Sequence, residues 1–132
     1  MAGYSGTPLA QKLGIKSDTM VALLGAPKGF ERALAPVPSG VRFTTRAGGA
    51  PALIVWFATS RQQIDRRLAD VARLVTHGVG LWMAWPKQSS GVATDLREDT
   101  VRNAGLACGL VDYKVCAIDA TWSGLKFARR KS

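Results

Sequence analysis

The feature that most restricts this chain is an apolar run, Val79-Gly80-Leu81-Trp82-Met83-Ala84-Trp85-Pro86, that breaks into Lys87-Gln88-Ser89-Ser90-Gly91-Val92-Ala93-Thr94-Asp95. A short run with no polar alternation is a strand covered on both faces, since a strand with one wet face alternates. The hydroxyl- and glycine-bearing loop after it meets Asp95-Leu96-Arg97-Glu98, which has capping-box spacing, with Thr94 as the alternative cap of the following helix. Buried strand, loop and helix start is the grammar of an open α/β sheet, whose ligands sit beyond the carboxyl ends of the strands.

Two more apolar runs, 20–24 and 52–57, read the same way. The first leads into Gly25-Ala26-Pro27-Lys28-Gly29 and a weak helix over 30–35. This loop has neither the dinucleotide fingerprint nor the Walker spacing. The second leads into the clearest helix, where Ser60 and Gln63 have capping-box spacing and Ile64, Leu68, Val71 and Val75 form one apolar stripe. On its wet side Arg61 and Asp65, and Arg66 and Asp70, stand one turn apart. His77-Gly78 closes it, the histidine serving as a C-terminal partner of the helix.

Around this frame, Thr7 caps a short helix with Pro8 at its first position and Gly14 at its exit. Segment 41–45 alternates as an edge strand would, with Arg42 and Arg46 to blunt it. A helix runs from the Thr94/Asp95 start to 108–109, and segments 110–118 and 122–128 form an antiparallel hairpin before a basic, solvated tail, 129–131. Trp56 and Trp82 are core, Trp82 and Trp85 point to opposite faces, and Trp85 is placed to line or floor the crevice. At 132 residues the chain is expected to be one domain, 1–132, burying roughly two thirds of its unfolded surface. The fold class is a Rossmann-like three-layer α/β sandwich, its sheet mostly parallel with a C-terminal antiparallel hairpin.

Under that topology the loops after Leu24, Phe57 and Trp85 leave one edge of the sheet together. They bring Lys28, the Ser60/Arg61 cap, and Lys87, Ser89, Ser90, Thr94 and Asp95 to one crevice beside Trp85. Helix starts and cations attract anions. A net charge of +9, from 18 Lys and Arg against nine Asp and Glu, favours the same class of partner. The alternative for each residue is plain structure: Ser60, Thr94 and Asp95 as helix caps, Lys87 as a solubilising charge. No catalytic couple and no metal site is expected. His77, the sole histidine, sits at the wrong end of its helix, and Cys108 and Cys116 fit no zinc or redox spacing and read as buried, reduced thiols. Neither a secretory leader nor a membrane span is legible, so the expected location is cytoplasmic.

Gly3-Tyr4-Ser5-Gly6-Thr7-Pro8-Leu9-Ala10, Lys12-Leu13-Gly14-Ile15-Lys16, Trp85-Pro86-Lys87 with Ser90-Gly91-Val92-Ala93-Thr94-Asp95, and Val111-Asp112-Tyr113-Lys114-Val115-Cys116 with Trp122-Ser123 together resemble the bacterial family catalogued as domain of unknown function 3052. That resemblance implies a short cytoplasmic α/β protein with no assigned activity. The order of elements also resembles a trimmed class I methyltransferase lacking one strand-helix unit. In that family a glycine-rich loop lies against S-adenosylmethionine, and an acidic residue after the second strand takes the ribose hydroxyls. Here these positions hold Gly25-Ala26-Pro27-Lys28-Gly29 and Thr44-Thr45-Arg46.

The expected function is a binding module for a small anionic ligand, a nucleotide or phosphorylated metabolite, with no resident cofactor. The alternatives are an S-adenosylmethionine-dependent methyltransferase-like enzyme and a nucleic-acid-binding protein. The last is less favoured, because the tryptophans lie in strands read as buried and leave no stacking platform. A homodimer through 41–45 or the hairpin is the fourth possibility.

Overall fold

The computed structural model describes residues 7–46 and 48–131. Six strands form one sheet: β1 (Met20–Leu24), β2 (Arg42–Thr44), β3 (Leu53–Phe57), β4 (Gly80–Pro86), β5 (Leu110–Ala117) and β6 (Trp122–Arg129), in the order β2-β1-β3-β4-β6-β5. The first four pair in parallel, while β6 runs antiparallel to both β4 and β5. The helices are α1 (Leu9–Leu13), α2 (Phe30–Ala33), α3 (Arg61–Leu74) and α4 (Glu98–Ala107).

Alternation along the apolar strands sends their side chains into two cores, one on each face, and this is why these runs need no polar positions. Ala22, Leu24, Ile54, Trp56, Leu81, Met83 and Trp85 pack under α3 and α4, against Ile64, Leu68, Val71 and Val101. Val21, Leu23, Val55, Phe57, Trp82 and Ala84 pack under α1 and α2, against Leu13, Phe30 and Leu34. Trp82 and Trp85 therefore do face opposite ways. The three layers and the antiparallel end are as the apolar runs require. From β2 the chain reaches β3 on the far side of β1 with no helix among the described residues between them, which is where the missing unit falls.

Several local expectations are corrected. Pro8, not Thr7, holds the N-cap of α1, with no side-chain cap bond; Gly14 ends the helix in the left-handed region, φ +84°. Helix α3 stops at Leu74, before His77. Its last carbonyls are met instead by Arg129, whose Nε donates to Val75 O at 2.9 Å and whose Nη2 donates to Ala72 O. Arg129 is thus a helix partner rather than a solvated charge, while Arg130, which reaches Leu106 O at 3.2 Å, and Lys131 are exposed as expected. Asp70 pairs with Arg73 at 2.8 Å, not with Arg66. Cys108 and Cys116 are free thiols but only half-buried. The hairpin pairs as expected, with a bulge between Asp112 and Lys114 that no spacing rule had signalled. Residues 3–6 of the first resemblance motif lie outside the described residues.

Candidate functional site

The strand order reverses at β1: the chain leaves it for β2 on one side and returns to β3 on the other. The carboxyl ends of β1 and β3 thus form the switch point of the sheet. Gly25 makes the two ends meet. It sits at φ +66°, and a Cβ there would lie 2.9 Å from Phe57 O, so only glycine lets the exit of β1 close on β3. Phe57 is flanked edge-on by Phe30, at 4.8 Å between ring centroids, and by Trp122, at 5.0 Å. Gly29, at φ +85°, closes this loop with open space where its Cβ would be. Lys28 beside it is exposed.

The second and third loops are sewn together. Ser60 caps α3 by accepting from Gln63 N at 3.2 Å, and Gln63 Oε1 accepts from Thr59 N at 2.8 Å, one residue earlier than capping-box spacing implies. Thr94 and Asp95 do not cap α4, whose N-cap is Arg97 without a side-chain bond. Instead Thr94 Oγ1 donates to Thr59 O at 2.6 Å and accepts from Leu96 N at 3.0 Å. Asp95 Oδ1 accepts from Arg61 N at 2.8 Å. The start of α3 therefore already holds an anion, the chain's own carboxylate, in the place where helix geometry most favours one. The Arg61 guanidinium turns along its helix to Asp65, at 3.1 Å.

Ser90 folds back on its own loop, donating to Lys87 O at 2.6 Å and accepting from Val92 N at 3.2 Å. What remains open is a cleft of about 500 Å³ at the end of β4. Trp85, at 6% exposure, lines it together with Lys87, Ser89, Arg97, Glu98 and Ser123. All nine sequence-identified residues thus lie at the carboxyl rim, but in three groups. Lys28 belongs to the first loop. Ser60, Arg61, Thr94 and Asp95 form the seam between the second and third. Trp85, Lys87 and Ser89 line the cleft, while Ser90 shapes their loop.

Ser123 and Arg97 were missed. Ser123 stands directly opposite Trp85 in the antiparallel register, so pairing the hairpin against β4 would have found it. Leu96 carries a fainter signal: an apolar residue beside the loop's polar end, it is 1% exposed and pins the loop to the α3 side of the sheet. Among the described residues no set of three or more His, Cys, Asp or Glu side chains is grouped to hold a metal, and no helix is long and apolar enough to cross a membrane.

Compared with known proteins, the chain matches no family model and no curated protein. It is similar to solved structures. A ribosomal protein L11 methylase from Lactobacillus delbrueckii subsp. bulgaricus superposes with a TM-score of 0.62 at 10% identity, over 93% of this chain and 75% of that one. The magnesium protoporphyrin IX methyltransferase of Synechocystis PCC 6803, solved with bound SAM, gives 0.56 at 10% identity, over 92% and 74%. A protein of the NADB-Rossmann superfamily from Streptococcus agalactiae gives 0.54 at 10% identity, over 99% and 72%. The fold is that of the class I methyltransferases, a Rossmann-like sheet with an antiparallel end.

Proposed function

We propose that this chain is a methyltransferase-like protein whose ligand is S-adenosylmethionine or a closely related nucleoside, held at the switch point between β1 and β3. The observation that carries this reading is the sheet itself. This sheet, with its reversal at β1 and its antiparallel last strands, superposes over more than nine tenths of the chain on a methylase and on a methyltransferase solved with bound SAM. A general anion pocket spread over three loops has less support, because Asp95 satisfies the start of α3 and Asp65 engages Arg61.

The first loop is compatible with the cofactor at the level of backbone, bare at Gly29 and opening outward. Its side chains are not the usual partners. At the end of β2, Thr44, Thr45 and Arg46 supply no carboxylate for a ribose, so the ligand is expected to bind weakly. The family resemblance to domain of unknown function 3052 belongs to the same proposal.

The test is thermal unfolding with S-adenosylmethionine and with its demethylated product. A ligand well above its dissociation constant must raise the midpoint. A rise of about 2–4 °C at roughly millimolar ligand is expected, and a larger one in Thr45→Asp, which restores the acid. No rise in either protein at that concentration overturns the reading.

A second reading rests on the cleft over Trp85. Lys87 and Arg97 face it, offset by one acid, Glu98, which suits a small anion with an apolar body to lie on the indole. Titration calorimetry with a nucleotide panel decides it: heat that disappears in Lys87→Ala supports the site, and heat unchanged in that variant removes it.

A further inference from the structure

The opposite edge of the sheet, where β1, β3 and β4 begin, holds a smaller and more enclosed pocket of about 180 Å³. Gly14, Lys16, Thr19, Gly80, Tyr113 and Lys126 line it. That volume is large enough to admit a phosphate-sized anion. Two glycines clear its floor for one side chain. A Cβ at Gly14 would lie 2.6 Å from Lys126 Nζ, and one at Gly80 would lie 2.8 Å from Lys126 Cε. The ammonium is held there by Leu13 O at 3.2 Å and by the ring faces of Trp82 and Tyr113, 5.7 and 5.8 Å from their centroids.

Capping α1 needs one cation, yet the chain sets others against it. Lys114 stands directly across from Lys126 in the hairpin, and Lys16 enters the same pocket from the exit of α1. Like charges opposite one another in a sheet destabilise it. The strain is visible on Lys126, whose ammonium is pushed to a lower pKa by burial, then by Lys114 and Lys16. Among the described residues no carboxylate pairs with any of the three. Two acids close by in sequence are directed elsewhere: Asp112 to Arg102 at 2.9 Å, and Asp18 against Gly40. A small dianion would turn this repulsion into attraction.

We propose that the pocket at the amino-terminal edge binds a small phosphate-type dianion, inorganic phosphate or a phosphomonoester end, between the ammonium groups of Lys16, Lys114 and Lys126. The site is separate from the carboxyl rim and does not depend on what binds there. Leu13 O, which holds the Lys126 ammonium, also accepts from Trp82 Nε1 at 2.8 Å, so the lysine's anchor is itself fixed.

The test is the unfolding midpoint in about 20 mM phosphate against chloride of equal ionic strength and pH, so that screening is held constant. The wild-type midpoint is expected to rise by about 4 °C in phosphate. Lys126→Met should abolish the rise, and Lys114→Gln and Lys16→Gln, both exposed positions, should each remove about half of it or more. Lys28→Gln, at the other rim, should keep it. No rise in the wild type, or a rise surviving in both Lys114→Gln and Lys16→Gln, overturns the proposal, as does retention on single-stranded RNA lost in these variants without any response to phosphate. If Lys126→Met does not fold, the two exposed variants decide alone.

Discussion

The two rims of this sheet both carry cations, and they treat them differently. At the carboxyl rim the polar groups are consumed by one another: Thr94 on Thr59 O, Asp95 on Arg61 N, Ser60 on Gln63 N, Arg61 on Asp65. At the amino-terminal edge a recessed lysine faces another across the hairpin, and among the described residues no acid pairs with either. Residue types that suggest a ligand are therefore weak indicators when their neighbours can satisfy them, and charge left uncompensated by the fold is a stronger one. The lesson is about partners, not composition.

The largest expected effect lies at the amino-terminal edge, where two glycines give Lys126 its room. Gly14→Ala should cost about 1–2 kcal/mol, because its φ of +84° disfavours a side chain, and Gly80→Ala less, because Lys126 Cε is near the end of a flexible side chain that can swing away and lose its place. Urea unfolding measures both. A double-mutant cycle sharpens the point, since in a Lys126→Ala background the cost of Gly80→Ala should fall by about half or more. An undiminished cost would assign Gly80 to the 3.1 Å approach of Leu53 instead, and the edge would lose its claim to be built around the lysine.

At the carboxyl rim a smaller loss is expected. Thr94→Val removes a hydroxyl that both donates and accepts, and Asp95→Ala uncovers the first turn of α3, each costing about 1 kcal/mol. If Asp95 is the rim's resident anion, Asp95→Ala should also gain a stabilising response to sulfate that the wild-type rim lacks, read against Lys126→Met so that the other edge is silent. Equal responses with and without Asp95 would mean that the start of α3 is closed to ions for another reason, and the contrast between the two rims would weaken.

How much of this was legible beforehand follows the same division. Uniformly apolar runs at 20–24, 52–57 and 79–85, short and bounded by turn residues, favour strands covered on both faces, and the stripe Ile64, Leu68, Val71, Val75 marks a helix face turned to a core. Local periodicity carries that information. Where Asp95 points is set by a bond to Arg61 N, thirty-four positions away in the chain, and no window of sequence contains it. The same holds for Arg129, read as part of a solvated tail, which caps a helix that ends more than fifty residues earlier. Lys126 was passed over because a lone lysine in a strand-like segment looks like an outward-facing residue. Its position depends on Gly14, Gly80 and the bulge after Asp112, three features from three elements.

The smallest effect is a slope rather than a loss, and it bears on the same lysine. Burial, Lys114 and Lys16 lower the folded-state pKa of Lys126 below its ordinary 10.5, so between the two values the unfolded chain binds more protons. The cost of holding the charge is present below the folded pKa and is relieved as pH rises through it, so this residue makes stability climb with pH toward 10.5. Two groups act in the opposite sense nearby. Burial raises Tyr113 above 10.0 and, outweighing Lys12, Lys87 and Lys114, raises Cys116 above 9.0, so each keeps its proton when folded and lowers stability as the unfolded form ionises. The measurement is consequently a difference: urea midpoints from pH 8 to 10.5 for the wild type minus those for Lys126→Met, both in a Tyr113→Phe, Cys116→Ser background. That difference should rise with pH and flatten when phosphate is present, because a bound dianion holds the proton on Lys126. A difference that is level across the range in chloride would show that the ammonium pays nothing for its place between the two rings, and the amino-terminal edge would then be as self-satisfied as the rim opposite.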